Sequence, residues 1–146
     1  MALESEPSVV PGIFLSDQSI VEQGTSKRSL VGCFDQFVFQ QFPANFPRFF
    51  ITTWVTNIEG MVSELDLTAR IEQKGSVHVV FSTSLKIGLD PERQFERNQI
   101  VAFAVPVPMI TFPTPGIYTV LIFFNGEEVG KRDIKVLQVA VENKNI

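Results

Sequence analysis

The chain has 146 residues, 45% of them hydrophobic, with 12 Lys and Arg against 16 Asp and Glu, hence a net charge of −4. That length suits one domain with a core that needs no disulfide or metal to hold it. The acidic balance argues against broad contact with nucleic acid or an anionic membrane surface.

Cys33 is the single cysteine, so an intramolecular disulfide is impossible, a reduced compartment is expected, and the thiol reads as a small buried hydrophobe. The first residues, Met1 to Pro7, carry acids rather than the basic and apolar pattern of a secretory signal. No apolar run approaches membrane-spanning length, and cytoplasmic residence is the expectation.

In chain order, residues 1–12 read as an N-terminal extension, 13–140 as one domain and 141–146 as a tail. Val9 to Leu15, Ile20-Val21 and Ser29 to Phe34 suggest an opening strand pair, interrupted by Pro11-Gly12 and by the Gly24 to Lys27 turn. A run of phenylalanines from Phe34 to Phe50 is broken by Pro43 and Pro47, which makes it partly a connection. Phe49 to Ile58 is β-branched and aromatic. Glu64 to Glu72 alternates, with Leu65, Leu67, Ala69 and Ile71 on one face and Glu64, Asp66, Thr68, Arg70 and Glu72 on the other.

Gln73 to Ser76 forms a turn into a further strand, Val77 to Leu85. Asp90-Pro91 has the form of a helix start and predicts one short helix near 91–97. Gln99 to Val105 is a strand ended by Pro106 and Pro108. Pro113 to Gly116 stops the chain again, and Asn125-Gly126 between two apolar runs predicts a primed turn closing a C-terminal hairpin. The whole reads as an all-β, immunoglobulin-like antiparallel β-sandwich of about seven to nine strands.

Gly32-Cys33-Phe34-Asp35, Phe42-Pro43-Ala44, Pro47-Arg48-Phe49-Phe50, Pro115-Gly116-Ile117-Tyr118, Asn125-Gly126-Glu127 and Gly130 resemble an uncharacterised bacterial family of small β-sandwich proteins, a domain of unknown function. The resemblance runs from Ile13 to Val139. It implies the fold and carries no catalytic residue.

A search for chemistry gives little. His78 is the only histidine, flanked in a strand by Val77 and Val79, and reads as a surface residue. Ser76, Ser82 and Ser84 lie near it, but no Gly-x-Ser-x-Gly elbow exists. Gly126 to Lys131 is one residue short of a phosphate loop and contains two glutamates. Glu64 and Asp66, roughly 7 Å apart on a strand, fit a solvated face better than a glycosidase pair. Catalytic, cofactor-binding and metal-ligating sets are all unassigned, and no cofactor is expected.

What stands out is apolar character on both faces of two strands. Phe50, Trp54 and Ile58 alternate with Phe49, Ile51 and Val55, and Ile117, Leu121 and Phe123 alternate with Tyr118, Val120, Ile122 and Phe124. A two-layer fold buries one face, so either the Phe-rich Gln36 to Phe50 segment or another protein surface must cover the second. Trp54, Tyr118, Val120, Ile122 and Phe124 are therefore the candidate interface residues. The expected function is a non-enzymatic interaction or assembly module with a protein partner or a homo-oligomeric state. A small-ligand module stacking carbohydrate on Trp54 or Tyr118 is the alternative, and an enzyme using Asp35, Glu64, Asp66 or His78 a third.

Overall fold

A computed structural model describes residues 8–25, 27–56, 60–61, 64–88, 94–95 and 100–140. The strands, in chain order, are β1 (Ser8–Val21), β2 (Arg28–Phe34), β3 (Gln36–Phe39), β4 (Ala44–Phe46), β5 (Phe49–Thr56), β6 (Gly60–Met61), β7 (Glu64–Gln73), β8 (Val79–Gly88), β9 (Gln94–Phe95), β10 (Val101–Val107), β11 (Ile110–Phe112), β12 (Gly116–Phe124) and β13 (Glu127–Gln138). The chain is all-β, with no helix among the described residues. Of the helix expected near 91–97, Gln94 and Phe95 instead pair with β6, and the rest lies outside the described residues.

Two sheets carry the fold. One has four antiparallel strands in the order β10-β5-β1-β2, the other five in the order β3-β13-β12-β7-β8. β3 runs parallel to β13, the one parallel pair among the described strands. It is reached by a direct crossing: β2 ends at Phe34 in the first sheet, the chain bends at Asp35, and β3 begins at Gln36 in the second.

Turn chemistry sets the hairpins. Asn125 and Gly126 both take positive φ, 50° and 85°, the conformation of a type I′ turn whose twist matches the strands it joins. The Asn125 amide donates to the Asp66 carbonyl at 2.8 Å, and the Asp66 amide returns a bond to Asn125 Oδ1 at 3.1 Å, which ties this turn to β7. Gly75, at φ 79°, turns β7 into β8, and that second strand begins at Val79 rather than at Val77, which is 98% exposed.

Two prolines sit inside strands. Pro11 lies in β1, where the pairing with β5 shifts register between Val9 and Ile13, a bulge that accommodates a residue without an N–H. Ser8 and Val9, read in sequence as extension, thus pair with Thr56 and Val55, and Val10 to Gly12 fall within the bulge. Pro106 does not end β10, because β10 is the edge of its sheet and one side of its backbone needs no partner.

The core lies between the sheets. Ile13, Leu15, Ile51, Val55, Phe103 and Val105 face Leu67, Ile71, Val120, Ile122, Phe124 and Ile134, and Phe103 meets Phe124 across the gap with ring centroids 6.4 Å apart. The Phe-rich segment closes one end of this interior. Phe37, 1% exposed, is ringed by Phe34, Phe46, Phe49 and Phe112 at centroid distances of 4.6 to 5.6 Å. It plugs the core and does not lie on an outer sheet face. Each such ring contributes about 2 kcal/mol through burial.

Candidate functional site

Alternation along β5 separates two sets of side chains. Phe49, Ile51, Thr53 and Val55 are buried against the core, so Phe50, Thr52 and Trp54 form the outward row. Phe14 and Ser16 of β1 lie beside Thr52 and Phe50, and Ala102, Ala104 and Pro106 of β10 lie on the other flank. Apart from Phe14, the flanking residues are small, which leaves the Phe50 and Trp54 rings only partly covered.

Three contacts organise this face. Phe14 and Trp54 meet edge to face at 5.8 Å between centroids, and both remain half-buried. The Arg48 guanidinium lies 5.2 Å from the Phe50 ring centroid, a cation–π contact on an exposed side chain. Between them Thr52, fully buried, donates from Oγ1 to Ser19 Oγ at 3.5 Å, and Arg28 Nη1 donates to the same oxygen at 2.9 Å. Ser19 lies beyond Ser16, the last residue of β1 paired with β5, so the far end of the β1–β2 hairpin curls over the outward side of β5. Among the described residues neither Arg28 nor Arg48 has an acidic partner, and Arg28 Nε is buried with no hydrogen bond.

The outward face of the five-stranded sheet differs. Leu121 is 6% and Thr119 8% exposed, yet among the described residues no other layer covers them. Their cover comes from the neighbouring strands. Leu121 lies between Lys131 and Arg70, Thr119 between Asp133 and Glu72, and the Arg70 guanidinium sits 4.7 Å above the Phe123 ring. Arg70 Nε is 3.3 Å from Glu72 Oε2, Lys74 pairs with Asp133, and Thr119 donates to Asp133 Oδ1 at 2.9 Å. The aliphatic stems shield the apolar row, and Arg70 Nε is itself buried there without a hydrogen bond. Asp133 is held below the usual carboxylate range, first by the hydrogen bond from Lys74 and then by that from Thr119.

The candidate interface residues divide accordingly. Tyr118, Val120, Ile122 and Phe124 are 0 to 1% exposed and belong to the core, so they present no interface. The period-two pattern of β12 is present, but the row expected to face outward faces the core. Tyr118 is fully buried, with its ring against Phe112 and its hydroxyl donating to the Thr114 carbonyl at 2.7 Å, so it offers no ring face to a sugar. Trp54 alone of the five stands outward.

The other chemistry-bearing residues do not converge. His78 is exposed in the β7–β8 turn, while Glu64 and Asp66 occupy the opposite end of β7 and Asp35 the crossing between sheets. Cys33 is exposed, contrary to its expected burial, because β2 is an edge strand whose outward side is open. It lines a groove of about 350 Å³ with Phe14, Leu15, Phe34, Asp35 and Arg132. Arg132 Nη1 donates to the Ile13 carbonyl at 2.6 Å, satisfying a β1 oxygen beyond the last β1–β2 pair, Leu15 with Phe34.

The chain belongs to DUF6941, a family of unknown function whose model matches residues 12–137. Comparison with curated proteins gives no match. Among solved structures, the Pseudomonas fluorescens alkylpurine DNA glycosylase AlkC bound to DNA with an abasic site analog is similar at 12% identity and TM-score 0.43, over 95% of this chain and 32% of that one. A β-glucosidase from Listeria innocua in complex with isofagomine is similar at 9% identity and TM-score 0.41, over 94% of this chain and 17% of that one. The chain thus spans a third or less of either protein.

Proposed function

We propose that the chain is a non-enzymatic protein-interaction module that docks through the outward face of the four-stranded sheet. One observation carries the reading. Trp54, Phe14 and Phe50 stay partly exposed there on a floor of small residues, whereas the apolar row of the other sheet is sealed by the charged side chains of its own neighbours. Aromatic residues on an otherwise small-residue surface favour burial against a partner.

The scaffold is consistent with this use. We read the strand order as immunoglobulin-like: β13-β12-β7-β8 follows the G-F-C-C′ order, β10 beside β5 follows E beside B, and the Tyr118 hydroxyl returns to the backbone four residues upstream as in a tyrosine corner. A photo-crosslinking residue at position 106, on the docking face, is expected to yield a protein adduct in cells, and the same residue at position 131, on the sealed face, is not. Adducts from both positions, or from neither, would overturn the assignment of the face.

Carbohydrate stacking on Trp54 is a second reading, favoured by its half-exposed ring. Unchanged Trp54 fluorescence across a panel of glycans would remove it.

A further inference from the structure

We infer that the occupant of this face is an acidic, extended segment of a partner protein, with carboxylates on Arg28 and Arg48 and apolar side chains against Trp54. The inference rests on the docking face proposed above and adds the chemistry of the partner. Three features of the face support it.

First, the charge is unbalanced locally. The protein carries a net charge of −4, yet both guanidiniums on this face lack an acidic partner among the described residues. Arg28 is also pre-positioned: Ser19 accepts from its Nη1, and its buried Nε makes no bond. A planar guanidinium held in place loses little entropy on pairing with a carboxylate.

Second, the geometry suits an extended chain. Phe50 and Trp54 stand roughly 13 Å apart along the outward row of β5 at about 3.3 Å per residue, the length of a short extended segment, and Thr52 between them is buried beneath Ser19 and the Arg28 guanidinium, which places that cation between the two rings. Arg48 marks one end of that row beside Phe50, and Phe14 flanks Trp54 at the other. At the β10 edge, Pro106 offers no N–H, which disfavours addition of the segment as a strand there.

Third, a second copy fits poorly. A twofold contact would set this face against itself, and the face supplies no carboxylate among the described residues to either of its arginines. A long polyanion would meet the net negative charge of the rest of the molecule.

The test uses the purified chain and its single tryptophan. A short synthetic peptide of Glu and Leu is titrated while Trp54 emission is followed, beside the same peptide with Gln in place of Glu. The Glu peptide is expected to give a saturable change that weakens as salt is raised, with the Gln peptide about tenfold weaker. Arg28→Gln and Arg48→Gln are each expected to weaken the Glu peptide by about fivefold, the size of one partly exposed ion pair. Arg48 is exposed, so its variant remains informative if Arg28→Gln fails to fold. Equal response to both peptides, no response to the Glu peptide, a tighter response to a sulfated polysaccharide, or a dimeric solution mass for the free chain would each overturn the inference. If the peptide fails while position 106 still gives an adduct, the acidic partner falls and the docking face stands.

Discussion

Tyr118 joins two roles in one side chain. Its ring is fully buried against Phe112 at 5.0 Å, and its hydroxyl spans back to the Thr114 carbonyl, fixing the Pro113 to Gly116 corner at the start of β12. Tyr118→Phe keeps the ring and strands that carbonyl, so unfolding in urea is expected to show a loss of about 1 kcal/mol. Asp133 gives a pH-dependent counterpart. Its carboxyl is lowered below the ordinary carboxylate range by Lys74 and Thr119, so the charged form is favoured in the folded state. The resulting stability is present above the ordinary carboxylate range and is lost as pH falls through the lowered value. Asp133→Asn is expected to flatten the acid side of the stability–pH curve, by a small amount because the side chain is 45% exposed. An unchanged acid limb would contradict that assignment. Neither partnership was legible in sequence, since Lys74 and Asp133 meet only through the β12 strand that separates β7 from β13.

Single elements were more legible. Asn125-Gly126 specified its turn through the φ that only a few residue types tolerate, and the clean alternation of β7 reappears as buried Leu65, Leu67, Ala69 and Ile71. The assignment of β12 failed because both of its alternate rows are apolar. What decides between them is the register with β7 and β13, which sets Arg70, Lys131 and Asp133 beside the outward row. Ile122→Asp is therefore expected to abolish folding of the monomer by placing a carboxylate in the core, seen as loss of the cooperative unfolding transition. A folded variant with only a changed oligomeric mass would contradict the inward placement. Gly130 offers a test of the seam between sheets. A methyl there would stand 2.6 Å from Val9 Cγ2, and Val is stiff at χ1, so Gly130→Ala is expected to cost about 1 to 3 kcal/mol.

For the molecule as a whole, fold class followed from local signals because turn residues and period-two patterning act over a few residues. The candidate site did not, because it is made by long-range placement. Phe14, Arg28, Arg48 and Trp54 come from β1, β2, the β4–β5 link and β5, and a bend of β1 past Ser16 brings Ser19 and Arg28 over Thr52. Sequence marked Trp54 but had no means of pairing it with the arginines. The same separation of sheets distinguishes the two outward faces: one closed by its own charged residues, the other with aromatic rings only partly covered.

The accessibility of Trp54 tests that distinction most directly, since the chain holds one tryptophan. In the free monomer, acrylamide is expected to quench its emission readily, with the spectrum of a partly hydrated indole, and the docked peptide to protect it. A blue-shifted emission that acrylamide does not reach, at monomeric mass, would place Trp54 in the interior and contradict the account.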